Sequence, residues 1–174
     1  MLVEIDAHNI QDINKPNQPF LATGRLCPAL RDGQWHFTEV LYDIPHKKYY
    51  PDEEQDYAAY IGHPDKTVFF YYADSICAAQ IRLRKNWNRY AFIEDIAVAR
   101  DYRGQGIGRL LIEKAAAWAK EKGLCGLALE TQDANLPACR FYAKMGFVIG
   151  AVDTMLYSNF DDNTENAIFW YMKF

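Results

Sequence analysis

Between Ile93 and Arg109 the chain reads IEDIAVARDYRGQGIGR, an apolar strand running into glycines at 104, 106 and 108 and then into an amphipathic helix. Glycine allows backbone conformations and close approaches that a Cβ would block. The amides that open a helix also sit at the positive end of its dipole. Together these features bind anions, so the segment is expected to hold a phosphorylated ligand. A nucleotide-triphosphate loop would place Lys and then Ser or Thr after its last glycine, but Arg109 and Leu110 stand there. A dinucleotide fingerprint starting at Gly104 would need a glycine at Arg109, and Glu130 downstream does not repair that. The bland alternative is a helix start with flexible punctuation.

The elements around this loop follow from periodicity. A short strand is expected near Leu2–Asn9. Loops follow, in which Pro16, Pro19, Pro28 and Pro45 interrupt any long periodic element. Asp52 can cap a short acidic helix that ends by Gly62 and buries Tyr57, Ala58, Tyr60 and Ile61. Thr67–Ala73, Ile76–Arg84 and Tyr90–Ala99 read as three antiparallel strands with turns at Asp74-Ser75 and Asn86-Trp87-Asn88. Ile107, Leu110, Leu111, Lys114/Ala115 and Trp118 recur at three and four, the stripe of a helix that Gly123 can close. Cys125–Thr131 is a further strand, and Asn135 begins a second helix with Pro137 in its first turn and Gly146 as its stop. Phe147–Tyr157 and Glu165–Phe174 read as two last strands joined through Ser158–Thr164. The order predicts an α/β fold, a mixed and mostly antiparallel central sheet flanked by helices.

Composition narrows the function classes. The 174 residues suit one domain over 1–174, able to bury a core without staples. No apolar run reaches the ~20 residues that cross a bilayer, and MLVEIDAHNIQD lacks the basic-then-apolar order of a secretory signal, so a cytoplasmic protein with no membrane partner is expected. Cys27, Cys77, Cys125 and Cys139 form no C-x-x-C pair, which predicts free thiols, mostly buried, and no metal. The four histidines are scattered and receive no role. With a net charge of −4, and Arg82-Leu83-Arg84-Lys85 as the nearest approach to a basic cluster, nucleic acid is not an expected partner. The acidic balance suits a small cationic substrate. Whether the chain pairs as a homodimer stays open.

Arg103-Gly104-Gln105-Gly106-Ile107-Gly108 resembles the R-x-x-G-x-G loop with which GCN5-related N-acetyltransferases (GNAT) bind the pyrophosphate of acetyl-CoA. Asn135, Tyr142 and Gly146-Phe147, within LETQDANLPACRFYAKMGF, match a second motif of that family. IRLRKNWNRYAFIEDIAV, CGLALETQDAN, GAVDTMLYSNF and AIFWYMKF resemble the streptothricin acetyltransferases, which acetylate an amine of streptothricin-type antibiotics. The resemblance implies the GNAT fold, acetyl-CoA as co-substrate and direct transfer in a ternary complex. It also implies contacts to the cofactor from Arg103, Gly104, Gln105, Gly106, Ile107, Gly108 and Asn135. The thioester would lie beside the main chain of Ile96, Ala97 and Val98, whose N–H groups suit a developing oxyanion.

An alkyl amine with a pKa near ~10 must lose a proton before it attacks, and Glu94, Asp95 and Glu130 are the candidate acceptors. Glu130 matches a base position used by some relatives. Glu94 and Asp95 are adjacent, so a regular strand points them to opposite faces. A bulge, which the resemblance implies here, would alter that. Each carboxylate has a salt bridge or a turn cap as its ordinary alternative. Tyr142 is the candidate donor to the departing thiolate, with ordinary helix packing as its alternative. Trp87, Tyr90, Phe92, Trp170 and Tyr171 are expected mainly in the core, with an aromatic substrate pocket as the other use. A peptide, protein or polyamine acetyltransferase and a non-enzymatic acetyl-CoA sensor are the competing functions. A sensor would keep the loop and lose the proton-transfer groups.

Overall fold

The computed structural model describes residues 1–52, 54–160 and 165–174. In chain order its elements are β1 (Leu2–Glu4), β2 (Phe20–Arg31), β3 (Gln34–Lys48), β4 (Lys66–Ala73), β5 (Ile76–Lys85), β6 (Ala91–Val98), α1 (Ile107–Glu121), β7 (Gly126–Gln132), α2 (Leu136–Lys144), β8 (Val148–Asp153) and β9 (Ala167–Lys173). The chain divides into two compact units, one formed by residues 1–19, 49–127 and 174, the other by 20–48 and 128–173.

In the first unit β1, β4, β5 and β6 lie side by side in that order, each antiparallel to its neighbour. Alternation along the strands separates two faces. Phe69, Ile81 and Leu83 belong to the face covered by α1, whose Lys114 ammonium lies 4.6 Å from the Phe69 ring centre. The buried stripe of α1 is Ile107, Leu111, Ile112, Ala115, Trp118 and Ala119, whereas Leu110, expected in the stripe, is 41% exposed. Leu111 is fully buried, so its truncation to Ala would cost about 2–5 kcal/mol. On the other face Val68 and Phe70 pack with Ile5, Tyr60 and Cys77.

Two expectations in this unit are corrected. The first strand stops at Glu4 because the Asp6 carboxylate accepts the His8 and Asn9 amides and turns the chain. The short helix is a 3-10 turn at Tyr57–Tyr60, capped by Asp56 rather than Asp52; its side chain accepts from Ala58 N at 3.0 Å. Tyr60 is buried there, while Ile61 is exposed and Glu53 lies outside the described residues.

The second unit contains the strand order β7-β9-β8 and a separate β2-β3 hairpin. The hairpin overturns the expectation of irregular loops. Asp32 and Gly33 take φ of 50° and 74° between paired Arg31 and Gln34, the left-handed two-residue turn that suits twisted antiparallel strands. Pro28 and Pro45 do not prevent it. A two-stranded ribbon has an unpaired outer edge on each strand, where a missing N–H is tolerated, and Pro45 falls in the irregular stretch between Leu41 and His46. β2 buries Ala22 and Leu26, and α2 packs on it. A Cβ at Gly24 would stand 2.4 Å from Val40 O, so only glycine fits that crossing. The last strand pair is shorter than expected. β8 ends at Asp153, whose carboxylate accepts the Met155 and Leu156 amides and puts Tyr157 in a turn. Of the expected connection Ser158–Thr164, residues 161–164 lie outside the described residues. The architecture is the mixed, mostly antiparallel α/β arrangement with two α-helices that the element order predicts.

Candidate active site

β6 ends at Val98, and a 3-10 turn at Arg100–Tyr102 carries the chain into the glycine loop. Arg103 Nε donates to Val98 O at 2.8 Å, tying the loop to the strand end, and Gln105 Nε2 donates to Asp101 O at 3.0 Å. Gly104 and Gly106 have φ of 77° and 83°, and a Cβ on either would meet no protein atom within 4 Å. The left-handed backbone therefore demands glycine, and the space beside it is open to a ligand. Gly106 caps α1 without any side-chain hydrogen bond, and the first bond across the turn is Leu110 N to Gly106 O at 3.2 Å. The amides of Ile107, Gly108 and Arg109 precede that bond and have no place in the helical ladder. Buried Ile107 fixes the helix start, so these donors are preorganised for an anion. Burial and neighbouring Arg100 lower the Arg103 pKa from its ordinary value, and the guanidinium stays charged. Ile96, Ala97 and Val98 pair with Ile81, Gln80 and Ala79 of β5.

The register of β6 against β5 pairs Asp95 with Arg82 but Ile93 with Leu83, so Glu94 is an inserted residue. This bulge puts both carboxylates on the face of Gln80, Arg82 and Arg84, where a regular strand would have separated them. Glu94 Oε1 lies 3.0 Å from Arg84 Nε, and its Oε2 accepts from the Tyr60 hydroxyl at 2.6 Å and lies 3.6 Å from Arg82 Nε. A carboxylate so surrounded is an anchor between β5, β6 and the turn that carries Tyr60. Asp95 accepts from Gln80 Nε2 at 2.5 Å. Gln80 is fully buried and also exchanges hydrogen bonds with Asn14, through Nε2 to Asn14 Oδ1 at 3.1 Å and from Asn14 N to its Oε1 at 2.8 Å.

Glu130, on β7 in the second unit, is in a different setting. Its Oε1 is buried and has no hydrogen-bond partner among the described residues. Burial raises the carboxyl pKa, and a hydrogen bond from Tyr157 offsets this in part. Asn135 caps α2, its Oδ1 accepting from Ala138 N at 3.3 Å. Tyr142 is 6% exposed and its ring lies 5.8 Å from Phe147 and 6.2 Å from Trp170. The candidate residues thus fall into two groups, with Glu94, Asp95 and the loop in one unit and Glu130, Asn135 and Tyr142 in the other.

Residues outside the sequence-based set also matter. Tyr60, Arg82 and Arg84 hold Glu94, and Tyr157 holds Glu130. Tyr157 lies in GAVDTMLYSNF, but strand periodicity gave no sign of its turn. The aromatics divide: Trp170 is buried at 1% exposure, whereas Trp87 projects at 91%. Cys77 and Cys139 are buried, but Cys125 is exposed, against expectation; it lies in the link between α1 and β7, where its N–H donates to Arg89 O at 2.9 Å. Among the described residues no group of three or more His, Cys, Asp or Glu side chains converges as metal ligands, and no helix is long and apolar enough to cross a membrane.

Comparison with known proteins adds four similarities. The model of the acetyltransferase (GNAT) family matches residues 29–147. The chain is 52% identical over 174 residues to streptothricin acetyltransferase A of Bacillus subtilis (strain 168), covering 100% of both chains. It superposes with a TM-score of 0.93 and 34% identity, over 100% of this chain and 99% of the other, on a crystal structure from Bacillus anthracis str. Ames. That protein is assigned as a streptothricin acetyltransferase and is in complex with acetyl coenzyme A. The crystal structure of nourseothricin acetyltransferase matches with a TM-score of 0.83 and 28% identity, over 99% of this chain and 97% of that one.

Proposed function

Because this chain belongs to the GNAT acetyltransferase family, we propose that it is an acetyl-CoA-dependent enzyme that acetylates an amine of streptothricin-type antibiotics. The observation that carries the substrate is the end-to-end likeness to streptothricin acetyltransferase A, 52% identical with neither chain left uncovered. The cofactor rests on the open glycine loop and on the amides of an uncapped helix, a fitting seat for a diphosphate.

Acetyl-CoA supplies an activated acetyl thioester. Arg103, Gly104, Gln105, Gly106, Ile107 and Gly108 hold its diphosphate, Asn135 contributes a polar contact, and the main chain of Ile96, Ala97 and Val98 receives the acyl end. Glu130 takes the proton of the attacking amine, directly or through water. Its carboxyl, with a pKa raised by burial, is matched to that task, and its Oε1, without a hydrogen-bond partner among the described residues, has a lone pair to spare. Tyr142 gives a proton to the departing thiolate. Asp95 adds negative charge that attracts a cationic acceptor, and Glu94, taken up by Arg82 and Arg84, braces the strand beside it. Both substrates are held at once and no acyl-enzyme forms, so orientation supplies much of the acceleration. We read the protein as one catalytic domain working in the cytoplasm.

A CoA-release assay against streptothricin, a peptide N-terminus and a polyamine, with mass spectrometry of the products, tests the proposal. Streptothricin should be acetylated far faster than the others. A preferred peptide or polyamine would sink the substrate assignment and leave the family intact.

A further inference from the structure

Gln18 occupies a place in the first unit that the chemistry above does not use. Its side-chain Oε1 accepts from the backbone N of Arg100 at 2.7 Å, and its own carbonyl accepts from Arg103 Nη2 at 3.4 Å. These two contacts grip the glycine loop where it leaves β6 and where its arginine begins. Gln18 itself is well anchored. Pro16 and Pro19 flank it and restrict the backbone on either side, Asn17 N donates to Asn14 O at 2.9 Å, and Asn17 Nδ2 donates to Asp52 Oδ1 at 2.9 Å. Asn14 is bound in turn to buried Gln80, which donates to Asp95.

A cavity of about 380 Å³ opens beside the segment, lined among others by Asp12, Lys15, Gln18, Cys77, Asp101 and Tyr102. Beside that hollow Gln18 holds Arg100 N through its side chain and shares the hold on Arg103 with Val98 O, to which Arg103 Nε donates.

We propose that Gln18 is a positioning residue for acetyl-CoA: the strap Asn14–Gln18 holds the start of the diphosphate loop in its binding conformation. The proposal rests on the reading of that loop as the acetyl-CoA site. Gln18 keeps the donors in place and does not touch the reacting atoms. Without the strap the loop samples more conformations, and the competent fraction, hence the apparent affinity, falls.

The test compares Gln18→Ala and Gln18→Glu in the full chain by calorimetric titration with acetyl-CoA and by steady-state kinetics. Gln18→Ala deletes the side-chain bond to Arg100 N and keeps the carbonyl that Arg103 uses, so it should raise the acetyl-CoA Kd and KM by about five- to tenfold, as expected for the loss of one hydrogen bond, while kcat and the amine KM hold. Gln18→Glu still accepts from Arg100 N and should restore most of the affinity. Unchanged acetyl-CoA affinity in a folded Gln18→Ala protein overturns the proposal. So does an equal loss in both variants, since Glu keeps the acceptor. Gly106→Val serves as the control: if it leaves acetyl-CoA affinity intact, the reading of the loop fails instead.

Discussion

Two carboxylates on neighbouring numbered strands, Glu94 on β6 and Glu130 on β7, have opposite surroundings. Glu94 sits at a bulge and is taken up by a hydroxyl and two guanidinium groups. Glu130 sits on β7, half-buried, with one buried oxygen that has no hydrogen-bond partner among the described residues and its proton affinity raised by desolvation. The same side chain is held as a brace in one place and, in the other, has its proton affinity raised by burial, which suits the base role proposed for it. What separates them is the supply of partners: Glu94 meets two guanidinium groups and a hydroxyl, whereas at Glu130 desolvation favours the neutral acid. Residue type identified three candidate acids; only their neighbours divide the work.

That contrast breaks first at Glu130. Glu130→Gln keeps the shape of the side chain and an acceptor for Tyr157 but cannot take a proton, so kcat should fall by about a thousandfold. Its stability should move the other way. The folded-state pKa of Glu130 is raised, so ionisation has no cost below the unfolded pKa, an increasing cost as pH rises toward the folded pKa, and its full cost above that. Thermal unfolding at neutral pH should therefore show Glu130→Gln at a higher Tm than the parent, with the gap closing in acid.

Tyr142 sharpens the picture on the donor side. Its ring is locked among Phe141, Phe147 and Trp170, which a purely structural residue would also show. Tyr142→Phe retains that packing and should lower turnover by about a hundredfold with almost no change in Tm. Unaltered turnover would return Tyr142 to the core.

Glu94→Gln should have the smallest effect on rate and a visible one on stability. Removing the charge leaves Arg82, 5% exposed, facing a neutral amide, at a cost of about 1–2 kcal/mol once the exposure of Arg84 is allowed for. Urea unfolding would measure it, while kcat should stay within about threefold of the parent at a temperature where both are folded. A large kcat loss there would make Glu94, not Glu130, the reacting acid.

The parts of the site that short-range rules govern were readable in advance. Gly104, Gly106 and the start of α1 follow from local conformation, and Asn135, Pro137 and Gly146 mark α2 through its cap, first turn and stop. The hairpin carries its own signal in Asp32-Gly33, but Pro28 and Pro45 read locally as breakers. A proline's meaning depends on whether its strand has a free edge, which is a tertiary fact. The bulge at Glu94 leaves no local mark, since register belongs to a pair of strands and appears only when Arg82 meets Asp95 while Leu83 meets Ile93. Tyr60 and Tyr157 are far in sequence from the carboxylates they hold, so no spacing rule could have named them.

The most direct measurement is the pH dependence of kcat/KM for streptothricin in the parent and in Glu130→Gln at matched acetyl-CoA saturation. The parent should lose activity toward acid as Glu130 takes up a proton, with that limb displaced above the ordinary carboxylate range by burial. The variant should be slow and show no such limb, while the same acidic limb in both proteins would contradict Glu130 as the base.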